Sequence, residues 1–176
     1  LEKRTRKAAL TALALLDAPR ASAGSYRVVI DYALAKGLAH EAFGHAAECD
    51  GMETSILGLN GKFRKGHRVA SEIVNIVDGP VEGDYAYQPI SANGILRETV
   101  EIVRRGELCC GLADVFSAQR AGVPITGAAR AESYRHVPVP RMTNIRITVE
   151  DPLPMEKEFE DVRPDDVRDA LARAGL

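Results

Sequence analysis

The 176-residue sequence predicts an α+β fold: a mixed or antiparallel sheet with one helix packed on it, the helix that carries His40-Glu41-Ala42-Phe43-Gly44-His45. Three observations lead to this. The elements run helix, strand, helix and then several strands with short helices, unlike the regular alternation of a parallel α/β sheet. The strand-like runs are short, alternate in polarity and meet at glycine-containing turns, one of them a clear hairpin. Hydrophobic residues make up 45% of the chain, enough at this length for one core but not for two large domains. The expected organisation is an N-terminal helix and linker over 1–24, a core over 25–150, and an acidic linker with a C-terminal helix over 151–176.

Each element has its own signal. Glu2 to Leu16 is charged in its first turns and apolar thereafter, and Pro19 follows as a stop, so it is a helix. Ser25 to Asp31 has strand composition in Tyr26, Val28, Val29 and Ile30, and from Tyr32 an alanine-rich helix is expected to about Asp50. Met52 to Gly66 lacks periodicity and reads as a loop, a possible lid. His67 to Asp78 alternates as a strand up to Asp78-Gly79-Pro80, and Gly83 to Tyr87 is a short further segment. Gly94 to Val103 and Glu107 to Leu112 form a hairpin about Arg104-Arg105-Gly106, the glycine supplying positive φ. Asp114 to Ala121 is a short helix closed by Gly122, and a polar stretch follows from Thr126 to Arg135. Arg141 to Val149 is a strand with Ile145, Ile147 and Val149 on one face and Asn144, Arg146 and Thr148 on the other. From Met155 the tail is acidic to Asp161, and Arg163-Pro164-Asp165-Asp166 opens a helix ending at Gly175.

Composition narrows the function. Lys+Arg 23 against Asp+Glu 25 gives a net charge of -2, so no bulk field draws nucleic acid or an anionic membrane. No apolar run approaches the roughly 20 residues that span a bilayer. The basic start followed by an apolar run lacks a small-residue cleavage site, which favours an amphipathic helix over a signal peptide. Cys49, Cys109 and Cys110 are odd in number, and the adjacent pair is poorly placed for an unstrained disulfide, so reduced thiols are expected.

The chemistry concentrates in His40 to His45. In a His-Glu-x-x-His helix two imidazoles share a face and the glutamate polarises water. Here the histidines are five apart, and at about 100° per residue they diverge by roughly 140° in a regular helix. One π-type turn, with Gly44 just before His45, restores a common face, and such turns concentrate at functional sites. The regular-helix alternative aligns Glu41, His45 and Cys49 instead. Both arrangements use His45.

Around that helix, Leu38 to Glu48 resembles the signature of the TldD/PmbA family, also called modulators of DNA gyrase. The likeness continues in order through Val69-Ala70-Ser71-Glu72, Gly83-Asp84-Tyr85-Ala86-Tyr87, Arg105-Gly106-Glu107-Leu108, Ser133-Tyr134-Arg135-His136 and Pro140-Arg141-Met142-Thr143-Asn144. It covers roughly Val28 to Ile147, and makes the sheet and helix part of a TldD/PmbA-like C-terminal domain.

This resemblance implies a zinc metallopeptidase of the catalytic type, with His40 and His45 as zinc ligands and Glu41 as the base that takes a proton from the attacking water. It implies unstructured peptides as substrates, bound as an added strand; Arg135, His136, Arg141 and Asn144 are candidates to line that groove. It also implies cytoplasmic homodimers, or heterodimers with a paralogue. The family's third ligand is a cysteine in a later segment, which neither Cys109 nor Cys110 matches. The core is therefore expected to be incomplete and the chain truncated, with Glu48 and Cys49 as the candidates for an additional ligand or supporting role. A noncatalytic peptide-binding or dimerisation subunit is the alternative reading, and a gyrase regulator a third without a supporting motif.

Overall fold

A four-stranded antiparallel sheet of order β5-β4-β3-β8 carries the site, built from β3 (Val74–Asp78), β4 (Val100–Arg104), β5 (Glu107–Leu108) and β8 (Arg146–Val149). This computed structural model describes residues 1–26, 28–153, 157 and 161–175, with the backbone alone for Tyr32 and Ala33. Four α-helices are described, α1 (Glu2–Leu16), α2 (Tyr32–Leu38), α3 (Ser117–Ala121) and α4 (Pro164–Arg173). Two small antiparallel pairs complete the set: β1 (Gly58–Leu59) with β2 (Lys62–Phe63), and β6 (Ala129–Arg130) with β7 (Val139–Pro140).

The expected α+β architecture holds, and its sheet is antiparallel throughout. Its core joins Ile76, Ile102, Val103 and Leu108 of the sheet to Ala47, Leu57, Phe63, Leu112, Met142 and Ile145. The hairpin turns on Arg105 and Gly106, with φ of 47° and 78°. That is the paired positive φ of a type I′ turn, and the arginine shares a strain the sequence assigned to glycine alone. At Gly106 a β-carbon would lie 2.3 Å from the Ala70 carbonyl oxygen, because Val69 and Ala70 both donate to the Gly106 carbonyl.

Several expected boundaries move. Ser25 to Asp31 forms no strand among its described residues; Arg27 lies outside them. Tyr26, Val28 and Val29 are exposed there, since β-forming residues need a neighbouring strand and none among the described residues adjoins them. Asp31 instead caps α2, its carboxylate accepting from the Leu34 N–H at 2.8 Å. The helix expected to reach Asp50 stops at Ala47, because Cys49 donates to the Leu112 carbonyl and Leu112 to that of Ala47, turning Glu48 into a bridge. Met52 to Gly66 is no lid: Met52, Leu57 and Phe63 are core residues, and the β1-β2 hairpin closes over Asn60-Gly61.

The strands begin late. Regular pairing starts at Val74 rather than His67, at Val100 rather than Gly94 and at Arg146 rather than Arg141. Glu107 to Leu112 pairs only at Glu107–Leu108, and Gly83 to Tyr87 is a run of turns. Residues 141–145 leave the ladder because their polar groups are taken elsewhere: Arg141 N–H by the Ala128 carbonyl and Thr143 N–H by Asp78.

At the ends, α1 matches its expected bounds but buries none of its residues. Alanine, leucine, lysine and arginine favour the helix intrinsically, without packing. In α4 the Asp166 carboxylate accepts from the Arg163 N–H at 2.8 Å, and Pro164 opens the helix. Most of the acidic run from Met155 lies outside the described residues. No described helix is long and apolar enough to cross a membrane.

Candidate metal centre

The helix that begins as α2 changes winding where the motif lies. Ala39–Gly44 is π-helical, and the His45 N–H donates to the His40 carbonyl, five residues back. The histidines therefore meet: Nε2 of His40 stands 3.0 Å from Nε2 of His45, and the rings are perpendicular with centroids 4.6 Å apart. One ligand atom from each of His40, Glu41 and His45 falls within 4.8 Å of the others, and this is the one potential metal-holding group of three or more among the described residues. All three side chains belong to exposed residues, open to an incoming ion and substrate.

Gly44 permits this winding to sit against the sheet. A β-carbon there would lie 1.8 Å from Sδ of Met142 and 3.1 Å from Cδ1 of Ile145. Alanine ordinarily favours a helix over glycine by about 1 kcal/mol, whereas overfilling a packed core costs about 1–3 kcal/mol. The overlap is deep and Met142 is buried, so the second effect wins. We expect Gly44→Ala to lower unfolding stability by roughly 1 kcal/mol in urea titration, an outcome opposite in sign to an ordinary helical Gly→Ala change.

The donors suit zinc. Zinc–imidazole bonds are about 2.0–2.1 Å, which puts two nitrogens on one tetrahedral ion roughly 3.3 Å apart. The observed 3.0 Å needs only a slight opening.

Glu48 does not join this group. Its Oε2 lies 3.1 Å from Nδ1 of His45, on the ring edge away from His40, and it also accepts from Nη1 of Arg141 at 2.9 Å. Burial pushes the Glu48 carboxyl up, opposed by its bonds to His45 and Arg141. Cys49 is separated from the centre as well: its thiol points at the Ala47 carbonyl, 3.6 Å away, inside the core. Burial pushes that thiol up to about 12, keeping it protonated and a poor metal ligand. The alternative stripe of Glu41, His45 and Cys49 is thus not formed. Cys109 and Cys110 are free, half-buried thiols outside the group of three.

The four candidate groove residues separate. Asn144 lines an open pocket of about 570 Å³ beside His40, together with Lys36, Asp84, Tyr85 and Arg146. Its Oδ1 also accepts from the Val81 N–H at 3.3 Å. Arg141 turns from the pocket to Glu48. Arg135 donates to the Tyr134 hydroxyl and His136 bonds Ser133 at 2.9 Å, both on an exposed loop away from that pocket.

Sequence reading missed the buried pair beneath the site. Asp78 and Arg97 stand 3.6 Å apart, with side chains 1% exposed. Asp78 accepts from the Thr143 N–H, and Arg97 donates to the Arg141 carbonyl. Asp78 was legible as a strand end before Gly79-Pro80, but no local pattern marks Arg97 as its partner.

An α+β scaffold that winds a His-Glu-x-x-x-His segment into a π-turn thus presents a potential metal-holding group on an exposed helix face. Comparison identifies the family: the model of the PmbA/TldA metallopeptidase C-terminal domain matches residues 23–164, and the chain belongs to that family. It is 35% identical over 140 residues to a metalloprotease TldD homologue of Haemophilus influenzae, covering 79% of this chain and 29% of that one. A metalloprotease of Archaeoglobus fulgidus is 34% identical over 133 residues, covering 76% and 30%. A Saccharolobus solfataricus relative, 32% identical over 128 residues (69% and 27%), is named a zinc metalloprotease TldD homologue. The chain thus spans about 30% of the length of its curated relatives.

Among solved structures, a candidate modulator of a DNA gyrase from Thermotoga maritima superposes with a TM-score of 0.52 at 22% identity, over 70% of this chain and 26% of that one. TldE from Thermococcus kodakarensis gives 0.52 at 16% identity, over 62% and 25%. These two likenesses show the fold.

Proposed function

We propose that this chain contributes the His-Glu-x-x-x-His half of a zinc peptidase centre that hydrolyses peptide bonds in short or unstructured peptides. The observation that carries the reading is the π-turn, which brings His40 and His45 to 3.0 Å with Glu41 beside them. Forming it replaces regular α-helical bonding with a rarer winding, a cost that a metal-binding pair explains. The zinc name of the Saccharolobus relative supports the choice of metal.

When bound, zinc supplies Lewis acidity that polarises a carbonyl and lowers the pKa of water to about 7. The chain's own residues do the rest. His40 and His45 bind through Nε2, Glu41 receives the proton of the attacking water, and the pocket beside Asn144 holds the peptide. Arg135 and His136 are proposed to meet substrate only at its far end, given their loop position. The described residues bring two imidazoles and one carboxylate together, and a catalytic zinc takes three protein ligands. We assign the remaining ligand to residues outside this group.

The proposed assembly is a pairing with a family paralogue, or with a second copy of this chain. Three free thiols suit the reducing cytoplasm. A noncatalytic peptide-binding or dimerisation subunit would keep the fold without the metal.

Elemental mass spectrometry decides between these readings. The expected result is about one zinc per wild-type chain and near none in His45→Ala prepared identically. Equal zinc in both would remove His45 as a ligand, and none in either would favour the noncatalytic subunit.

A further inference from the structure

We infer that Arg141 and Glu48 are positioning residues for His45: they hold its ring proton on Nδ1 and leave Nε2 free to face His40. The inference rests on the zinc reading for its consequence, metal affinity, but not for the state of the ring.

A neutral imidazole has one N–H and one lone pair, and an ionised carboxylate only accepts. With Oε2 of Glu48 at 3.1 Å from Nδ1 of His45, the proton belongs on Nδ1. The lone pair then sits on Nε2, the nitrogen that stands 3.0 Å from His40. Glu48 cannot itself reach an ion held between those Nε2 atoms, because it occupies the opposite edge of the ring. Such carboxylate–histidine pairs fix ring orientation in metal sites and strengthen the ligand.

A carboxylate on a flexible stem fixes nothing unless it is held in turn. Glu48 is held by Arg141, whose Nη1 donates to the same Oε2 at 2.9 Å from 93 residues along the chain. The Glu48 side chain is only 8% exposed, so the guanidinium also supplies the countercharge that a buried carboxylate needs. Arg141 is anchored through its own backbone. Its N–H donates to the Ala128 carbonyl at 2.7 Å, and its carbonyl accepts from Arg97. The next residue, Met142, packs against Gly44 of the π-turn. The segment leading into β8 and the helix are thereby joined at two points, and the polar one ends on His45. This placement commits Arg141 to Glu48 rather than to a peptide: the same Nη1 also donates to the Pro140 carbonyl at 2.9 Å.

The test reads the ring directly. Nitrogen-15 NMR of the imidazoles at pH 8 without metal reports which nitrogen carries the proton, and zinc chloride titrated against a chromophoric chelator reports affinity. Wild-type His45 is expected as the Nδ1–H form. In Arg141→Met and Glu48→Ala it should become a mixture of forms, with zinc affinity reduced roughly 10- to 100-fold, the larger loss for Glu48→Ala. Arg141→Lys should recover part of both signals. His67 and His136 serve as internal controls, because unfolding shifts every histidine whereas lost positioning shifts His45. If Arg141→Met unfolds, Arg141→Lys and Glu48→Ala carry the decision. A wild-type His45 protonated on Nε2, or a His45 ring and zinc affinity unmoved in these variants, overturns the inference. A ring that responds in a wild type that takes up no zinc supports the positioning role and sinks the zinc reading alone.

Discussion

Glu41→Gln is expected to leave zinc in place and to slow peptide hydrolysis by roughly 10²–10⁴-fold, the usual contribution of a positioned general base. Glutamine preserves the size of the side chain and can still hydrogen-bond, but it cannot take a proton from water. The two histidines are untouched, so metal content should match the wild type. Glu41 is the residue to test because the π-turn begins before it and ends after it. One of its oxygens is within 4.8 Å of the ligand nitrogens of both His40 and His45, on the exposed side of the helix. Ala39, just before His40, is fully buried and fixes which face His40 and Glu41 present. The check is mass-spectrometric cleavage of an unstructured peptide by any preparation whose wild-type form cleaves it, with zinc measured in the same samples. Undiminished cleavage with zinc retained would remove Glu41 as the base. Loss of both zinc and cleavage would instead make Glu41 a ligand.

The winding of the helix was legible because its physics is local. Five-residue spacing cannot serve one ion in a regular α-helix, and Gly44 marks where a bulkier residue would collide. Local signals also sufficed for the Arg105-Gly106 hairpin, the Gly122 cap of α3 and the start of α4 at Pro164. What stayed hidden depends on partners distant in sequence. Tyr26, Val28 and Val29 have strand composition but no described strand beside them, and the alternating residues before Val74 and after Arg141 lose their ladder to non-local hydrogen bonds. Glu48 looked equally fit for ligand and supporting roles until the backbone turn at Leu112 directed it to the Nδ1 edge of His45. Arg141 looked like a groove residue because an arginine between proline and methionine carries no mark of the carboxylate 93 residues away.

The π-turn and its polar brace depend on a charge pair deeper in the core, and Arg97→Met should be the most destabilising of the changes considered, by about 3–5 kcal/mol. Burial pushes the Asp78 carboxyl above its usual range, opposed first by the Thr143 N–H and then by the charge of Arg97, and it pushes the Arg97 guanidinium below its own, opposed by Asp78. Such a pair adds little net stability compared with apolar residues, but removing one member strands the other. In Arg97→Met, burial acts on Asp78 without its main countercharge, which raises the folded-state pKa further above that of the unfolded chain. Between the two values the folded state holds a proton that the unfolded chain has released, so the variant gains stability as pH falls and loses it as pH rises through the folded pKa. The deficit of Arg97→Met should therefore be smaller at pH 5 than at pH 8. Asp78→Asn in the same background removes the titrating group while keeping an oxygen for the Thr143 N–H, and should be both less destabilised at pH 8 and insensitive to that pH change. Urea unfolding of the wild type, single and double variants at the two pH values makes the comparison. A single-variant deficit that stays constant with pH would show that Asp78 finds another countercharge, and that the segment bearing Arg141 is held mainly by its packing against Gly44.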